Sequence, residues 1–368
     1  MHPALRGRRD PGVQGLDGSR MVGPPPPSWA VDPEAGQAFE LADGLWSLRL
    51  PLPWDHLRWV NAYAIAREDG IMLVDCGGGG DPSTIPALEG ALRRSGHRVA
   101  DVRVLVGTHV HSDHIGIADW VLERSGAEFC LHPDTGHFYD ATRDPERIRA
   151  ARARRARQEG VPEPHVERFA DVIEETDGIM SARDGDRALV DGVRLPSRLG
   201  DWEVLTTPGH APSHISLLQR QRGLLIAGDI VSNAVSIYCD YGYSADPIGE
   251  FLGSLDRVGS VGRLELVMPG HGRPVADLDA AIALQRDRIG EGLEATRGAL
   301  RAGAATGYEV GQGIYGDEMA SEAGPWRASE TFSFLRHLRL AGEATRETLP
   351  DGTFRHRLVV RAPAGLSR

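Results

Sequence analysis

From residue 45 onward the chain alternates short apolar runs with clusters of glycine, proline and polar residues. Residues 45–50, 61–66 and 71–76 are rich in branched and aromatic side chains and bounded by turn formers, which predicts successive β-strands. The third of these runs straight into the glycine cluster 77–80. Residues 83–95 carry helical apolar spacing, and the β-branched run 102–106 predicts another strand. The segment 108–116 follows at its end and leads into a helix reaching about residue 125, after which 128–132 reads as a strand. The stretch 140–182 differs: arginines crowd among alanines at 147–157 and apolar residues recur at helical spacing over 166–180, predicting two or three inserted helices. Strands are predicted again at 202–206, 215–219, 224–227 and 264–268. Strands followed by helices, twice over, favour a two-sheet α/β sandwich flanked by helices over one doubly wound sheet.

After residue 275 the pattern turns helical, with helices predicted over 276–302 and 328–341 and two extended segments around 350–352, the outline of a winged helix. Residues 1–36 are rich in Gly, Pro and Arg, include four consecutive prolines, show no periodicity and read as disordered. The expected organisation is therefore a disordered segment 1–36, a catalytic domain 37–275 with a helical lid insert at 140–182, and a C-terminal domain 276–368. No apolar run approaches the roughly 20 residues that cross a bilayer, and no apolar segment follows the N-terminal arginines, so no membrane partner and a cytoplasmic location are expected.

Charge narrows the function. A net charge of −11 argues against a polyanion-binding surface, so nucleic acid is not an expected partner. All 41 basic residues are arginine, the usage of a GC-rich bacterial genome, and the absence of lysine excludes Schiff-base chemistry. Cys76, Cys130 and Cys239 form no CxxC pair and sit in or beside apolar stretches, so they read as small buried hydrophobes.

The densest chemistry lies in Thr108-His109-Val110-His111-Ser112-Asp113-His114-Ile115-Gly116. His109, His111 and Asp113 alternate, so an extended backbone points all three the same way, and His114 approaches from the turn into a helix. Three imidazoles and a carboxylate within six residues concentrate titratable groups at a cost that a divalent cation relieves. Further motifs end predicted strands in turn: Val74-Asp75-Cys76-Gly77, Thr207-Pro208-Gly209-His210, Ala227-Gly228-Asp229 and Pro269-Gly270-His271-Gly272.

This set resembles the signature of the metallo-β-lactamase superfamily, motif by motif and in family order. The resemblance implies a four-layer αβ/βα sandwich with two metal ions, most simply zinc, with iron or manganese as alternatives that an N/O donor set accepts. It implies His109, His111 and His210 on the first ion, Asp113, His114 and His271 on the second, and Asp229 bridging both. Aspartate rather than cysteine at the bridging position points to the glyoxalase II, lactonase and esterase branches. The implied activity is hydrolysis of an ester, thioester, lactone or amide of a small molecule by metal-bound hydroxide, with Asp113 also orienting the nucleophile. Tyr238, with Tyr241 and Tyr243 in the same loop, resembles a phenol that related lactonases use on an oxyanion.

Other residues carry weaker signals. His214 resembles a histidine that supports the ligands of relatives, although Ser213 stands where those have glycine. Asp75 reads as a supporting or strand-end group, His132 as structural, Trp54, His56 and Trp59 as part of a loop over the metals, and the 147–157 arginines as a solvated helix face. Two further activities fit the same motifs: a metal-dependent nuclease, and an iron-dependent persulfide dioxygenase. The C-terminal extension is expected to close the pocket, to form a homodimer, or both.

Overall fold

The computed structural model describes residues 36–54, 57–171, 182–232, 237–303 and 306–359. The expectations for residues 1–35, for His56, for the 172–181 part of the insert and for residues 360–368 lie outside the described residues.

Two sheets face each other. The first runs in sequence order through β1 (Gln37–Ala42), β2 (Leu45–Trp54), β3 (Leu57–Arg67), β4 (Gly70–Val74), β5 (Val102–Val106), β6 (Glu128–Leu131) and β7 (Arg187–Ala188). Its first four strands pair antiparallel and the rest parallel. The second comprises β8 (Arg194–Leu195), β9 (Trp202–Thr206), β10 (Ile215–Gln219), β11 (Leu224–Gly228) and β12 (Leu266–Pro269), antiparallel except for the parallel β11–β12 pair.

The strands are apolar on both faces because both are covered. In β4, Met72 and Val74 face the second sheet, where they meet Trp202, Val204, Ile215, Leu217 and Ile226, while Ile71 and Leu73 join the opposite core. That outer core is capped by α1 (Thr84–Arg94) and, past the short α2 (Ser112–Ile115), by α3 (Ala118–Ser125) and α4 (Gly136–Arg143). The outer face of the second sheet, including Leu205, Leu218, Leu225 and Val267, is covered by α5 (Pro145–Gln158), α6 (Glu163–Ala170), α7 (Pro247–Gly259), α8 (Leu278–Arg301), α9 (Gly307–Tyr315) and α10 (Gly324–Leu340). The result is the four-layer αβ/βα sandwich. A two-stranded hairpin, β13 (Ala344–Thr348) with β14 (Phe354–Leu358), follows the last helix.

Two features differ from the sequence expectation, and a third concerns how the C-terminal helices pack. Helix α7 was not predicted: Gly249, Gly253 and Gly259 obscure its pattern, yet Asp246 caps it by accepting from Gly249 N–H, Pro247 sits in its first turn, and Ile248, Phe251, Leu255 and Val258 reach the core at helical spacing. The insert's helices begin at Gly136 rather than 140. The C-terminal helices share one core with α5–α7 and the second sheet. The seam is sealed by a buried His356 Nε2–Glu159 Oε2 pair at 2.9 Å and by Tyr308 N–H donating to the Glu159 carbonyl at 2.8 Å.

Trp202 is fully buried between the sheets, its indole N–H donating to Ser197 Oγ at 3.2 Å. Trp202→Ala should lower the unfolding free energy by about 3–5 kcal/mol through lost burial and an unfilled cavity, measured by chemical denaturation. A loss below about 1 kcal/mol would show that this layer does not hold the two sheets together.

Candidate metal centre

The candidate donors all lie just beyond the C-terminal ends of strands, at one edge of the sandwich. His109, His111, Asp113 and His114 follow β5, and α2 turns the last two back toward the first pair. His210 follows β9, Asp229 follows β11 and His271 follows β12, so donors from the two sheets meet across the cleft. Two hydrogen bonds from Asn61 Nδ2, to the carbonyls of Pro269 and Gly272 (both 3.0 Å), and one from Tyr63 Oη to Pro269 O (2.6 Å), tie β3 to the turn that carries His271.

Their ligand atoms fall into overlapping groups, each within 4.8 Å: His109, His111 and His210; Asp113, His114 and His271; and His109, His114 and Asp229. Asp229 Oδ2 stands 3.6 Å from His210 Nε2, 3.6 Å from His114 Nε2 and 3.4 Å from His271 Nε2. Two ligands at about 2.1 Å on a tetrahedral zinc are roughly 3.4 Å apart, which is the spacing seen. His271 Nε2 also lies 3.0 Å from Asp113 Oδ2, and His111 Nδ1 3.1 Å from His210 Nε2.

Each of the five histidines spends its other nitrogen outward. His109 Nδ1 meets Thr108 Oγ1 (3.1 Å), His111 Nε2 Asp240 Oδ2 (2.9 Å), His114 Nδ1 Asp75 Oδ2 (2.8 Å), His210 Nδ1 Tyr238 O (3.2 Å) and His271 Nδ1 Trp59 O (2.7 Å). These acceptors place the proton outside and a lone pair inside, as metal-bound imidazoles require. Asp75 also accepts from Thr108 N–H and Oγ1–H, both at 2.8 Å, from a left-handed backbone (φ 59°) that aspartate tolerates better than most residues.

The donor set fits a metal. His109 Nε2, His114 Nε2 and Asp229 Oδ1 are buried without a hydrogen-bond partner, which is costly for polar atoms unless a cation takes their lone pairs. A Cβ on Gly270 would stand 2.1 Å from Asp229 Oδ1 and 2.7 Å from His114 Cε1, so the backbone is stripped of its side chain where the cradle lies.

Electrostatics divide the site. Burial, reinforced by neighbouring imidazoles, holds His109 well below its usual range and brings His210 down to about 4. On the other side burial is outweighed: Asp229 and Asp113 lift His271 to about 10, and Asp113, Asp229 and Asp75 lift His114 well above normal. In return those imidazoles overcome the burial of Asp113 and bring it to about 2.

Several other residues find their places. His214 uses both nitrogens within the protein, accepting from Asp229 N–H (2.9 Å) and meeting Thr207 Oγ1 (2.8 Å), so it aims the Asp229 turn. The Tyr238 ring lies 5.8 Å from the rings of both His111 and His210, whereas Tyr241 packs on Phe332 and under Arg155. Tyr243 reaches the His137 ring at 6.2 Å. Trp59 contributes its carbonyl, Trp54 packs on the outer core, and His132 Nδ1 accepts from Asp134 N–H in a turn. Arg147, Arg149 and Arg157 pair with carboxylates on the surface. The three cysteines are buried and unpaired. His137 and Asp240, grouped with His111 within 4.8 Å, were not singled out from the sequence, where neither stands in a ligand-like motif.

Comparison with known proteins agrees with this geometry. The chain belongs to the metallo-beta-lactamase superfamily, whose family model matches residues 58–273, and is a metal-dependent hydrolase. It is 25% identical over 283 residues to "Probable metallo-hydrolase YqjP" of Bacillus subtilis (strain 168), covering 73% of this chain and 84% of that one. It is 28% identical over 276 residues to mouse "Metallo-beta-lactamase domain-containing protein 1", with 70% and 84% covered. A metallo-beta-lactamase family protein from Thermus thermophilus superposes with a TM-score of 0.75 at 27% identity, over 87% of this chain and all (100%) of that one. A beta-lactamase domain protein from Burkholderia ambifaria gives a TM-score of 0.75 at 26% identity, over 90% and 96%. Family and donor clusters together imply a divalent metal cofactor. Among the described residues no helix is long and apolar enough to cross a membrane.

The raised values of His114 and His271 set a pH dependence. Below pH about 10 the metal-stripped protein keeps a proton on His271 that a cation must displace, so metal uptake at pH 8 should release at least one proton and weaken as pH falls. The same proton stabilises the stripped protein fully below pH about 6.5, and that contribution is lost as pH rises from there through about 10. Calorimetric titration with zinc in buffers of different ionisation enthalpy measures the release; none at pH 8 would contradict this charge assignment.

Proposed function

We propose that the chain is a binuclear hydrolase that cleaves an ester, thioester, lactone or amide of a small molecule. The observation that carries the two-ion reading is the position of Asp229. One of its oxygens stands within 3.6 Å of His210 in the first triad and of His114 and His271 in the second, the place of a bridging ligand. His109, His111 and His210 would hold one ion, and Asp113, His114 and His271 the other. Zinc suits this donor set best, with iron and manganese as the competing occupants. Bound there, the ions would supply a hydroxide nucleophile near neutral pH and Lewis-acid polarisation of the scissile carbonyl.

The chain's own groups do the rest. Asp113 Oδ2, 3.0 Å from His271 Nε2, carries the carboxylate at the second triad that would orient the attacking group. Tyr238 flanks the first triad, where its phenol would donate to an oxygen gaining negative charge. Asp229 is held by the His214 contact to its backbone, which leaves both carboxylate oxygens for the ions.

A small-molecule substrate fits the surface better than nucleic acid. The net charge is −11, and arginines of the C-terminal helices are already paired: Arg297 with Glu343, Arg301 with Glu294, and Arg327 with Glu318 and Glu330.

Asp229→Asn should lower bound metal and reduce kcat/KM on the best substrate by more than about 100-fold, beyond the roughly 10–100-fold typical of residues that only support a ligand. Metal analysis beside a panel of lactones, thioesters, aryl esters, β-lactams and phosphodiesters tests both parts; full turnover with two ions in the variant, or preference for phosphodiesters, would sink the reading. Tyr238→Phe should lower kcat about 10-fold or more with KM nearly unchanged. An unaltered kcat removes the phenol from the mechanism.

A further inference from the structure

Two of the three donors in the first triad are tied to one residue outside it. Asp240 donates its backbone N–H to the His210 carbonyl (3.2 Å) and accepts His111 Nε2–H on Oδ2 (2.9 Å). The same oxygen stands 2.7 Å from His137 Nδ1, in a bent contact. His137 Nε2 in turn meets Ser213 Oγ at 2.8 Å, and Ser213 Oγ accepts at 3.3 Å from the N–H of Val110, the residue between His109 and His111. His137, Ser213 and Asp240 are 2%, 1% and 7% exposed, so water offers little alternative to these contacts.

Ser213 Oγ accepts from Val110 N–H and also shares a hydrogen bond with His137 Nε2, so it links His137 to the backbone between His109 and His111. Asp240 Oδ2 accepts His111 Nε2–H, and His111 is left with Nδ1 facing His210 Nε2 and the cleft. The same three groups lie within 4.8 Å of one another, so a separate cation held there is the outcome that the count of zinc equivalents below distinguishes.

The loop that carries Asp240 is itself clamped from the C-terminal segment. Ser329 Oγ on α10 donates to the Cys239 carbonyl (2.6 Å) and accepts from Tyr241 N–H (3.3 Å), and the Trp326 ring lies 4.5 Å from that of Tyr238. From the insert, Arg155 Nη1 donates to the Tyr241 carbonyl (2.9 Å). Tyr238 O and Asp240 are the contacts through which this loop reaches His210 and His111.

We propose that Asp240, braced by His137 and Ser213 and clamped to α10 through Ser329, is the positioning residue that aims His111 and so sets the cation affinity of the first triad. This deepens the reading above and rests on it only in taking that triad as a cation site. The C-terminal segment thereby has a definite part in the metal centre without supplying a ligand.

Zinc affinities of the full chain, measured by competition with a chromophoric chelator, test this without reference to any substrate. Asp240→Ala should weaken one zinc equivalent about 10–100-fold and leave the other within about threefold, with Asp240→Asn intermediate. Ser329→Ala should weaken the same equivalent by a smaller factor. In a His111→Ala background, Asp240→Ala should have no further effect, because the residue acts through that imidazole. Equal weakening of both equivalents, or an undiminished effect in the His111→Ala background, would overturn the proposal, as would loss of a third zinc equivalent on removing Asp240. If Asp240→Ala does not fold, Asp240→Asn and Ser329→Ala carry the same comparison. Should the unaltered chain bind a single zinc, the two-ion reading fails on its own, and the His111 background decides the proposal from that one equivalent.

Discussion

Five imidazoles can hold cations in one buried cleft only if each turns a lone pair inward and gives its remaining proton to something outside. Without the cation, Asp113 and Asp229 hold protons on the inward side of His114 and His271, and a cation must displace them. The architecture around the site answers that constraint five times over, with a threonine hydroxyl, two carboxylates and two backbone carbonyls as outer acceptors. His214 shows the contrast: both of its nitrogens are engaged by protein, and it supports the site without facing it.

The fold serves this arrangement through its strand ends. A strand that stops beside its neighbour leaves the next residues free to turn into the cleft, and β5, β9, β11 and β12 all do so at one edge. Glycine appears where a side chain would collide with the donors. Gly270 clears Asp229 and His114, and Gly228, at φ 54°, clears the His214 ring by having no Cβ, which would stand 2.5 Å from Nε2. The C-terminal helices and the insert pack into one core with the second sheet, so they reach the site from the side that carries Asp240.

Much of this was legible in the sequence because it is local. The four closely spaced donors of 109–114 and the glycine turns before His210, Asp229 and His271 are contiguous signals, and strands buried on both faces stand out as apolar runs. What escaped is carried by distance or masked by composition. Asp240 lies 129 residues from His111, and His137 lies 76 from Ser213, so nothing in either neighbourhood announces the pairing. Ser213 was visible only as a departure from glycine; its hydroxyl has a purpose once His137 is seen beside it. Helix α7 was hidden by its glycines, and β7 and β8, two residues each, are too short to form a pattern.

The donors are contributed by both halves of the sandwich, four from the end of β5 and three from the second sheet, so neither half holds a complete cradle. A cation held by donors from both halves would therefore need the two sheets already docked. In that position it would act as a rivet through the seam, opposing any breathing motion that parts the layers at that edge.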